Sequence, residues 1–273
     1  MLKFLTELFE AGCGYSSINS ARSAVSAISI DAAETLGQCP LISKFMRGVF
    51  NSRPQLPRYS MTWDVNIVLT FLKNWAPAES LSLKQLSLKT TLLLLILSSQ
   101  RGQTVLNFQI DTMKWSKYKV TFPIHCVLKT TRPGSHISEV AYKAFPVDKR
   151  LCVVTYVKAY IDRTAQLRKD AKQLLISFRK PYAAISRDTL ARWTKLVMTM
   201  AGIDTAIFRP HSTRAASASK AAKHIPLQDI LKSAGWSRET TFTKYYNKKV
   251  QKQEGTSIQD GVMFSHNNRP AGK

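Results

Sequence analysis

Apolar residues in this chain fall into short stretches of helical period, broken by turn residues, and the period changes twice along the chain. Phe4, Leu5, Leu8 and Phe9, then Ile18 to Ile30, then Pro40 to Phe50 predict three short helices. The middle one, Ser16 to Ile30, is rich in small residues, with Ala21, Val25, Ile28 and Ile30 available for packing. Asn51-Ser-Arg-Pro-Gln-Leu-Pro-Arg58 has two prolines and little apolar content, and reads as a linker. Beyond it, Trp63, Val65, Ile67, Val68, Phe71 and Leu72 predict an amphipathic helix, and Leu81 to Ser99 a second. The period then drops to two. Met113, Trp115, Tyr118, Val120, Phe122, Ile124 and Cys126 alternate with polar neighbours, as strands do. Lys129-Thr-Thr-Arg-Pro-Gly134 supplies turn residues, and Ala144 to Pro146 is placed to close a small antiparallel sheet.

Helical spacing returns from Val153, with Tyr156, Tyr160 and Leu167 as expected core positions. Ser186 is a predicted N-cap for a helix through Ala201, with Leu190, Trp193, Leu196, Val197 and Met200 on one stripe and Gly202 as its stop. Pro210 precedes an Ala/Ser-rich helix starting near His211. Pro226 opens another that Gly235 ends, and Thr240 to Tyr246 predicts a last one. The expected fold is mainly α with a small antiparallel β-sheet, of α+β class. Its expected parts are a helical region 1–52, a linker 53–60, a larger unit 61–252 and a polar tail 253–273.

Charge changes this picture more than composition does. Among 273 residues, 40 Lys and Arg stand against 17 Asp and Glu, a net charge of +23, with a pI near 10.1. Each phosphate that such a chain neutralises releases condensed counterions, so a polyanion is the expected partner. A basic linker between two lobes suits a clamp around a duplex, and equally a solvated connector. Cysteines at 13, 39, 126 and 152 form no C-x-x-C pair, which argues against a zinc site or a disulfide framework and for a reducing compartment. Thr90 to Leu97 is too short to span a bilayer, and Met1 to Glu10 lacks a signal-peptide pattern. The expected location is the nucleus or another DNA-containing compartment, intracellular rather than secreted, with no membrane partner.

Candidate chemistry gathers near the C-terminus. His211-Ser-Thr-Arg214 sets a histidine and an arginine three apart at a helix start, on one face and beside N–H groups that can receive an anion. Gly235-Trp236 and the pair Tyr245-Tyr246 follow, while Arg101 lies far upstream in Ser-Ser-Gln-Arg-Gly-Gln-Thr. Two arginine forks from opposite sides can offset the charge of a pentavalent phosphorane. Each residue alone has an ordinary structural explanation, such as a cap or a dipole partner. Their order carries the signal.

That order, R … K … H-x-x-R … G-[HW] … Y, resembles the tyrosine recombinase (phage integrase-like) family over about residues 15 to 250. The segments carrying it include Arg209-Pro-His-Ser-Thr-Arg214, Leu231-Lys-Ser-Ala-Gly-Trp236 and Thr240-Thr-Phe-Thr-Lys-Tyr-Tyr-Asn247. Ser99-Gln-Arg-Gly-Gln-Thr104 and Leu128-Lys-Thr-Thr-Arg-Pro-Gly134 look most like recombinases of DIRS-like and Crypton-type eukaryotic mobile elements. The resemblance implies a helical core-binding (SAM-like) N-terminal region and a recombinase catalytic domain. It makes Arg101 and Arg214 the catalytic arginines, His211 the histidine of the H-x-x-R pair, and Lys129 the acid for the departing 5′-oxygen. Trp236 stands where many members have a histidine; its indole N–H can donate a hydrogen bond but cannot shuttle a proton. Tyr246, ten residues past Trp236, is the favoured nucleophile, and Tyr245, nine past it, the alternative. One helical residue turns a side chain by ~100°, so only one of them can face the phosphate.

The implied reaction is DNA strand cleavage and rejoining through a 3′-phosphotyrosyl bond, on duplex DNA, by a self-associating tetramer, with no cofactor and no metal. Thr104 departs from the pattern, since many members have an acid three residues after the first arginine. Residues 1–52 are also short for a complete core-binding region, which fits a fragment or a decayed copy. A recombinase-derived protein that binds DNA without cutting it is therefore the second reading. A metal-dependent nuclease needs clustered carboxylates, whereas the 17 acids are scattered with no D-x-D pair. An RNA-binding structural role fits the charge but leaves the Arg, His, Trp and Tyr order unexplained.

Overall fold

A computed structural model describes residues 1–28, 36–54, 60–129, 131–134, 136–236 and 239–250. The chain divides into two compact units, Met1–Arg58 and Tyr59–Lys273. The linker segment 55–59 and the tail from 251 on, Glu254 to Lys273 included, fall outside the described residues.

Among its described residues the first unit holds three α-helices, α1 (Leu2–Glu10), α2 (Tyr15–Ile28) and α3 (Pro40–Ser52). They meet on Leu5, Ile18, Ile42, Met46 and Val49. Pro40 begins α3 where a missing N–H costs nothing. Arg53 closes the C-terminal end of α1, donating to the carbonyls of Phe9 at 2.7 Å and Cys13 at 3.0 Å. Ile28 is exposed rather than packed, and Ile30 is outside the described residues.

The second unit is built around one helix. Its elements are β1 (Met61–Thr62), α4 (Val65–Lys73), α5 (Leu83–Ser98), α6 (Gly102–Leu106), β2 (Lys114–Ser116), β3 (Lys119–Pro123), β4 (Glu139–Lys143) and α7 (Val153–Thr164). They continue with α8 (Arg187–Met200), α9 (Ser212–Ala221), α10 (Leu227–Ala234), α11 (Glu239–Tyr245) and β5 (Lys249–Val250). α5 is apolar around most of its circumference, and such a helix must be covered on all sides. It is packed by α7, α8 and α9, leaving Leu97 exposed near its end. A capping box starts it: Ser82 Oγ accepts from the Gln85 N–H at 3.2 Å, and Gln85 Oε1 from the Ser82 N–H at 3.1 Å.

The antiparallel sheet runs β2-β3-β4, with Val120 opposite Tyr142 and Phe122 opposite Val140. Those inward residues are buried, and Phe108 stacks on Phe122 at 4.3 Å. The third strand is therefore Glu139–Lys143, not Ala144 to Pro146. Val140 and Tyr142 have the buried alternation, whereas Pro146 has no N–H for a ladder. Three further expectations are corrected. Trp63 precedes α4 instead of lying in it, because Asp64 caps the helix by accepting from the Asn66 N–H. Leu196 and Met200 face solvent, and Thr194 and Met198 complete the buried stripe of α8 with Leu190, Trp193 and Val197. Leu167 is half-buried, since the chain tightens after Thr164 and turns Arg168 inward, where its guanidinium donates to the carbonyls of Gln173 and Leu174.

Candidate active site

The candidate residues are positioned by small polar groups that fasten three segments together. α5 ends at Ser98, and Ser99 takes a left-handed φ of 52°, turning the chain so that Arg101 becomes the N-cap of α6. That turn is fixed on both sides. Ser99 Oγ donates to Ser217 Oγ of α9 at 2.8 Å, and Gln100 Nε2 donates to the carbonyl of Ser233 in α10. Ser217 also reaches the Ile96 carbonyl. Alanines and serines along α9 leave room for this approach, and everything from Ser212 to Ser219 is buried. Trp63 Nε1 donates to Ser212 Oγ at 2.8 Å and fixes the start of the same helix.

At the end of α10, Gly235 takes a φ of 68°. A left-handed residue there lets the Trp236 N–H return to the Leu231 carbonyl at 2.9 Å, which folds the indole back over α9. Trp236 then packs with Phe242 at 5.6 Å and with Tyr246 at 4.4 Å between ring centroids. Tyr246 stands one residue beyond α11, its N–H donating to the Phe242 carbonyl at 2.8 Å. Ser219 holds the backbone on either side of it, donating to the Tyr246 carbonyl and accepting from the Lys248 N–H at 3.0 Å. β5 then pairs in parallel with β1, Met61 with Lys249 and Thr62 with Val250.

Arg214 lies under these rings. Only 2% of it is exposed, and its guanidinium sits 4.5 Å from the Trp236 ring centre and 5.2 Å from that of Tyr246. Nη2 donates to the Ala234 carbonyl at 2.6 Å, while Nε and Nη1 have no hydrogen-bond partner among the described residues. Trp236 Nε1 is buried and unpartnered in the same way. Burial, and after it the like charge of Arg101, pull Arg214 down to about 10, so it remains a cation at neutral pH. The imidazole of His211, 6.5 Å from the Tyr246 ring, is held below the usual 6.5. Loss of water around the ring is the main cause, followed by the charges of Arg214, Arg101 and Lys129.

His211, Arg214 and Trp236 thus gather around the Tyr246 ring, with Arg101 within electrostatic reach of Arg214 and His211, and Lys129 within electrostatic reach of His211. Lys129 is exposed at the rim and Arg101 half-buried. The Tyr245 side chain falls outside what is described. One expectation fails: the first N–H groups of α9 are not free for an anion. Those of Ser212, Thr213 and Arg214 donate to the carbonyls of Arg209, Pro210 and His211 at 2.8, 3.2 and 3.4 Å. Side chains alone must do that work. The sequence pattern assigns no role to Ser99 and Gln100, although both lie in the segment 99–104, nor to Ser217 and Ser219; their signal is only polar residues at the end of an apolar helix and along an Ala/Ser-rich one.

Similarity to solved structures identifies the fold that carries this arrangement. The chain superposes on the XerH site-specific recombinase in its post-cleavage complex with palindromic difH substrate, with a TM-score of 0.61 at 15% identity, covering 89% of this chain and 66% of that one. The fold is that of the tyrosine recombinases. A transposon Tn1549 integrase in complex with transposon right end DNA matches with a TM-score of 0.55 at 13% identity, covering 97% of this chain and 83% of that one. A lambda integrase dimer bound to a COC′ core site matches at 0.53 and 16% identity, covering 94% and 66%. The chain spans just under two thirds of the XerH and lambda integrase chains. Neither a protein-family profile nor a curated protein matches the sequence. Among the described residues, no helix is long and apolar enough to cross a membrane.

Proposed function

We propose that this chain cuts and rejoins strands of duplex DNA through a 3′-phosphotyrosyl intermediate, with Tyr246 as nucleophile. The observation carrying this reading is the set of three buried donors, Arg214 Nε and Nη1 and Trp236 Nε1, left without acceptors beneath the Tyr246 ring. An unpaired buried donor costs about 1–3 kcal/mol. Three in one place are explained by an anionic acceptor that arrives with the substrate. In a chain of net charge +23, a DNA phosphate is the fitting one.

Arg101 and Arg214 hold the non-bridging oxygens, and the Trp236 N–H donates to one of them. The Tyr246 oxygen forms a bond to phosphorus as the bond to the 5′-oxygen breaks. That oxygen leaves with the electron pair and takes a proton from the Lys129 ammonium. A phenol of pKa about 10 needs its proton removed. His211, kept neutral by lost hydration and neighbouring cations, accepts it. The free 5′-hydroxyl of another strand then reverses the sequence, returning a proton to Lys129. No bond energy is lost to water. On this reading residues 1–52 form the core-binding region, the protein self-associates on DNA, and it works in the nucleus or another DNA-containing compartment. The likeness of residues 99–104 and 128–134 to recombinases of DIRS-like and Crypton-type elements supports a mobile-element origin.

Thr104 favours one second reading, a recombinase-derived protein that grips DNA without cutting it, because the acid that many members carry three residues after the first arginine is a threonine here. A pool of duplexes with a randomised centre and a nick in one strand separates the two. The strand-transfer reading expects a denaturant-resistant adduct whose DNA-bearing peptide contains Tyr246, lost in Tyr246→Phe and kept in Tyr245→Phe. DNA retention with no adduct, in the wild type as in Tyr246→Phe, refutes it in favour of binding alone.

A further inference from the structure

The turn carrying Lys129 belongs to the long connection between β3 and β4, where a solvent-exposed lysine has no packing to aim it. The backbone beneath it is nevertheless fastened. Leu128 is buried at 4% exposure and anchors the turn from below. Thr131 closes it from both directions: its N–H donates to the Leu128 carbonyl at 2.9 Å, and its Oγ1 accepts from the Leu128 N–H at 3.0 Å. The imidazole of His136 stands behind Thr131, with Nδ1 2.9 Å from Oγ1 and Nε2 2.9 Å from the Ile124 carbonyl. A carbonyl only accepts, so Nε2 carries a hydrogen, and in the neutral ring Nδ1 then accepts from the threonine hydroxyl. One chain of bonds therefore runs from the Leu128 N–H through Thr131 and His136 to the end of β3. Ile124 is itself tied to the far side of the connection, its N–H donating to the Ser138 carbonyl at 2.8 Å.

We propose that Thr131 and His136 are positioning residues for Lys129, holding its turn so that the ammonium meets the departing 5′-oxygen. The inference rests on the strand-transfer reading above and adds two residues to it. Neither touches the phosphate. The charge of Lys129 is one of those that lower the His211 imidazole, so the turn lies within electrostatic reach of that ring. His136 is exposed and, among the described residues, its hydrogen bonds go to Thr131 and Ile124 of its own connection, so removing it perturbs the turn and spares the core.

Sulfur at the bridging 5′ position of the scissile phosphate gives a direct test. A thiol has a pKa of about 8.5, against about 15.7 for water, so a thiolate departs without an acid. Adduct formation is measured with the nicked duplexes recovered from the pool, carrying oxygen or sulfur at that position. A general acid is worth about 10²–10⁴ in rate. Lys129→Ala loses that much with oxygen and recovers with sulfur. His136→Ala and Thr131→Val slow the oxygen substrate about tenfold or more and match wild type with sulfur, and His136→Gln, which keeps an N–H for the Ile124 carbonyl, recovers part of the loss. Arg214→Ala stays slow with both substrates. Wild-type rates with oxygen in both brace variants overturn the proposal. So does a loss that persists with sulfur, which signals damage to binding or folding. A wild-type chain that forms no adduct with either substrate refutes the strand-transfer reading itself, and this inference with it.

Discussion

Replacing Arg214 with methionine should abolish cleavage while leaving the fold as stable as before, or more so. The side chain is 2% exposed, and substitutions at such positions ordinarily cost about 0.5–3 kcal/mol. Here the guanidinium is itself a burden. Nε and Nη1 lie buried without partners, at about 1–3 kcal/mol each, so their removal relieves about 2–6 kcal/mol. Against that stands the Nη2 bond to the Ala234 carbonyl, about 1.5–3 kcal/mol for a charged donor. The Trp236 and Tyr246 rings add about 0.5–1 kcal/mol each. A methionine sulfur between the same two rings returns about 0.3–1.5 kcal/mol and nearly fills the volume. Repulsion from Arg101 also disappears. Taken end to end, these ranges run from about 3 kcal/mol against the variant to about 5 kcal/mol in its favour, with a centre near about 1 kcal/mol in its favour. Urea unfolding measures it directly. Inorganic phosphate supplies the second arm: at a hundred times its Kd it stabilises the wild type by about 2.7 kcal/mol and should leave Arg214→Met unmoved. A variant less stable by more than about 3 kcal/mol, or one still stabilised by phosphate, would refute the reasoning, because Arg214 would then be a satisfied structural residue.

Three other outcomes are expected. Ser219→Ala removes both hydrogen bonds that frame Tyr246, and a loss of about 1–2 kcal/mol slows adduct formation some 5- to 30-fold with nicked-duplex affinity unchanged; an equal fall in affinity would locate the damage elsewhere. His211 titrates below 6.5, so the acid limb of the cleavage rate should lie below that pH, and Lys129→Gln, by removing a like charge, should move the limb upward; a wild-type limb above pH 7 contradicts this assignment. Lys89, buried in α5, donates to the Leu72 carbonyl at 2.8 Å and the Trp75 carbonyl at 2.5 Å, and burial lowers it to about 7. Between pH 7 and the ordinary lysine value near 10.5 the unfolded chain binds the extra proton, so stability should climb with pH across that window, and the climb should vanish in Lys89→Met. A pH-independent difference between the two proteins would mean that the two carbonyls keep Lys89 charged.

Much of the architecture was legible because its causes are local. The Ser186 cap, Pro40 at a helix start and the φ reversals at Gly202 and Gly235 act over a few residues, and each stands where the chain pattern put it. The alternation through Val120 and Phe122 similarly fixed which face of the sheet is buried. Where the pattern misled, a neighbour distant in sequence had decided the matter. Leu196 and Met200 fit the apolar stripe of α8 as well as Thr194 and Met198 do, and only the packing of α5 and α6 against that helix selects between them.

Taken alone, the sequence determined which groups are available for the proposed phosphate chemistry and in what order: Arg101, Lys129, His211, Arg214, Trp236 and the tyrosine pair. Tertiary structure decided what each is free to do. Ser99 meets Ser217 across 118 residues, and that contact brings the turn of Arg101 against the helix of Arg214. The N–H groups at the start of α9 are spent on the preceding turn, while three side-chain donors are buried with nothing to receive them. Propensity and periodicity are properties of neighbours along the chain. Hydrogen-bond satisfaction is a property of neighbours in space, and the site depends on the second.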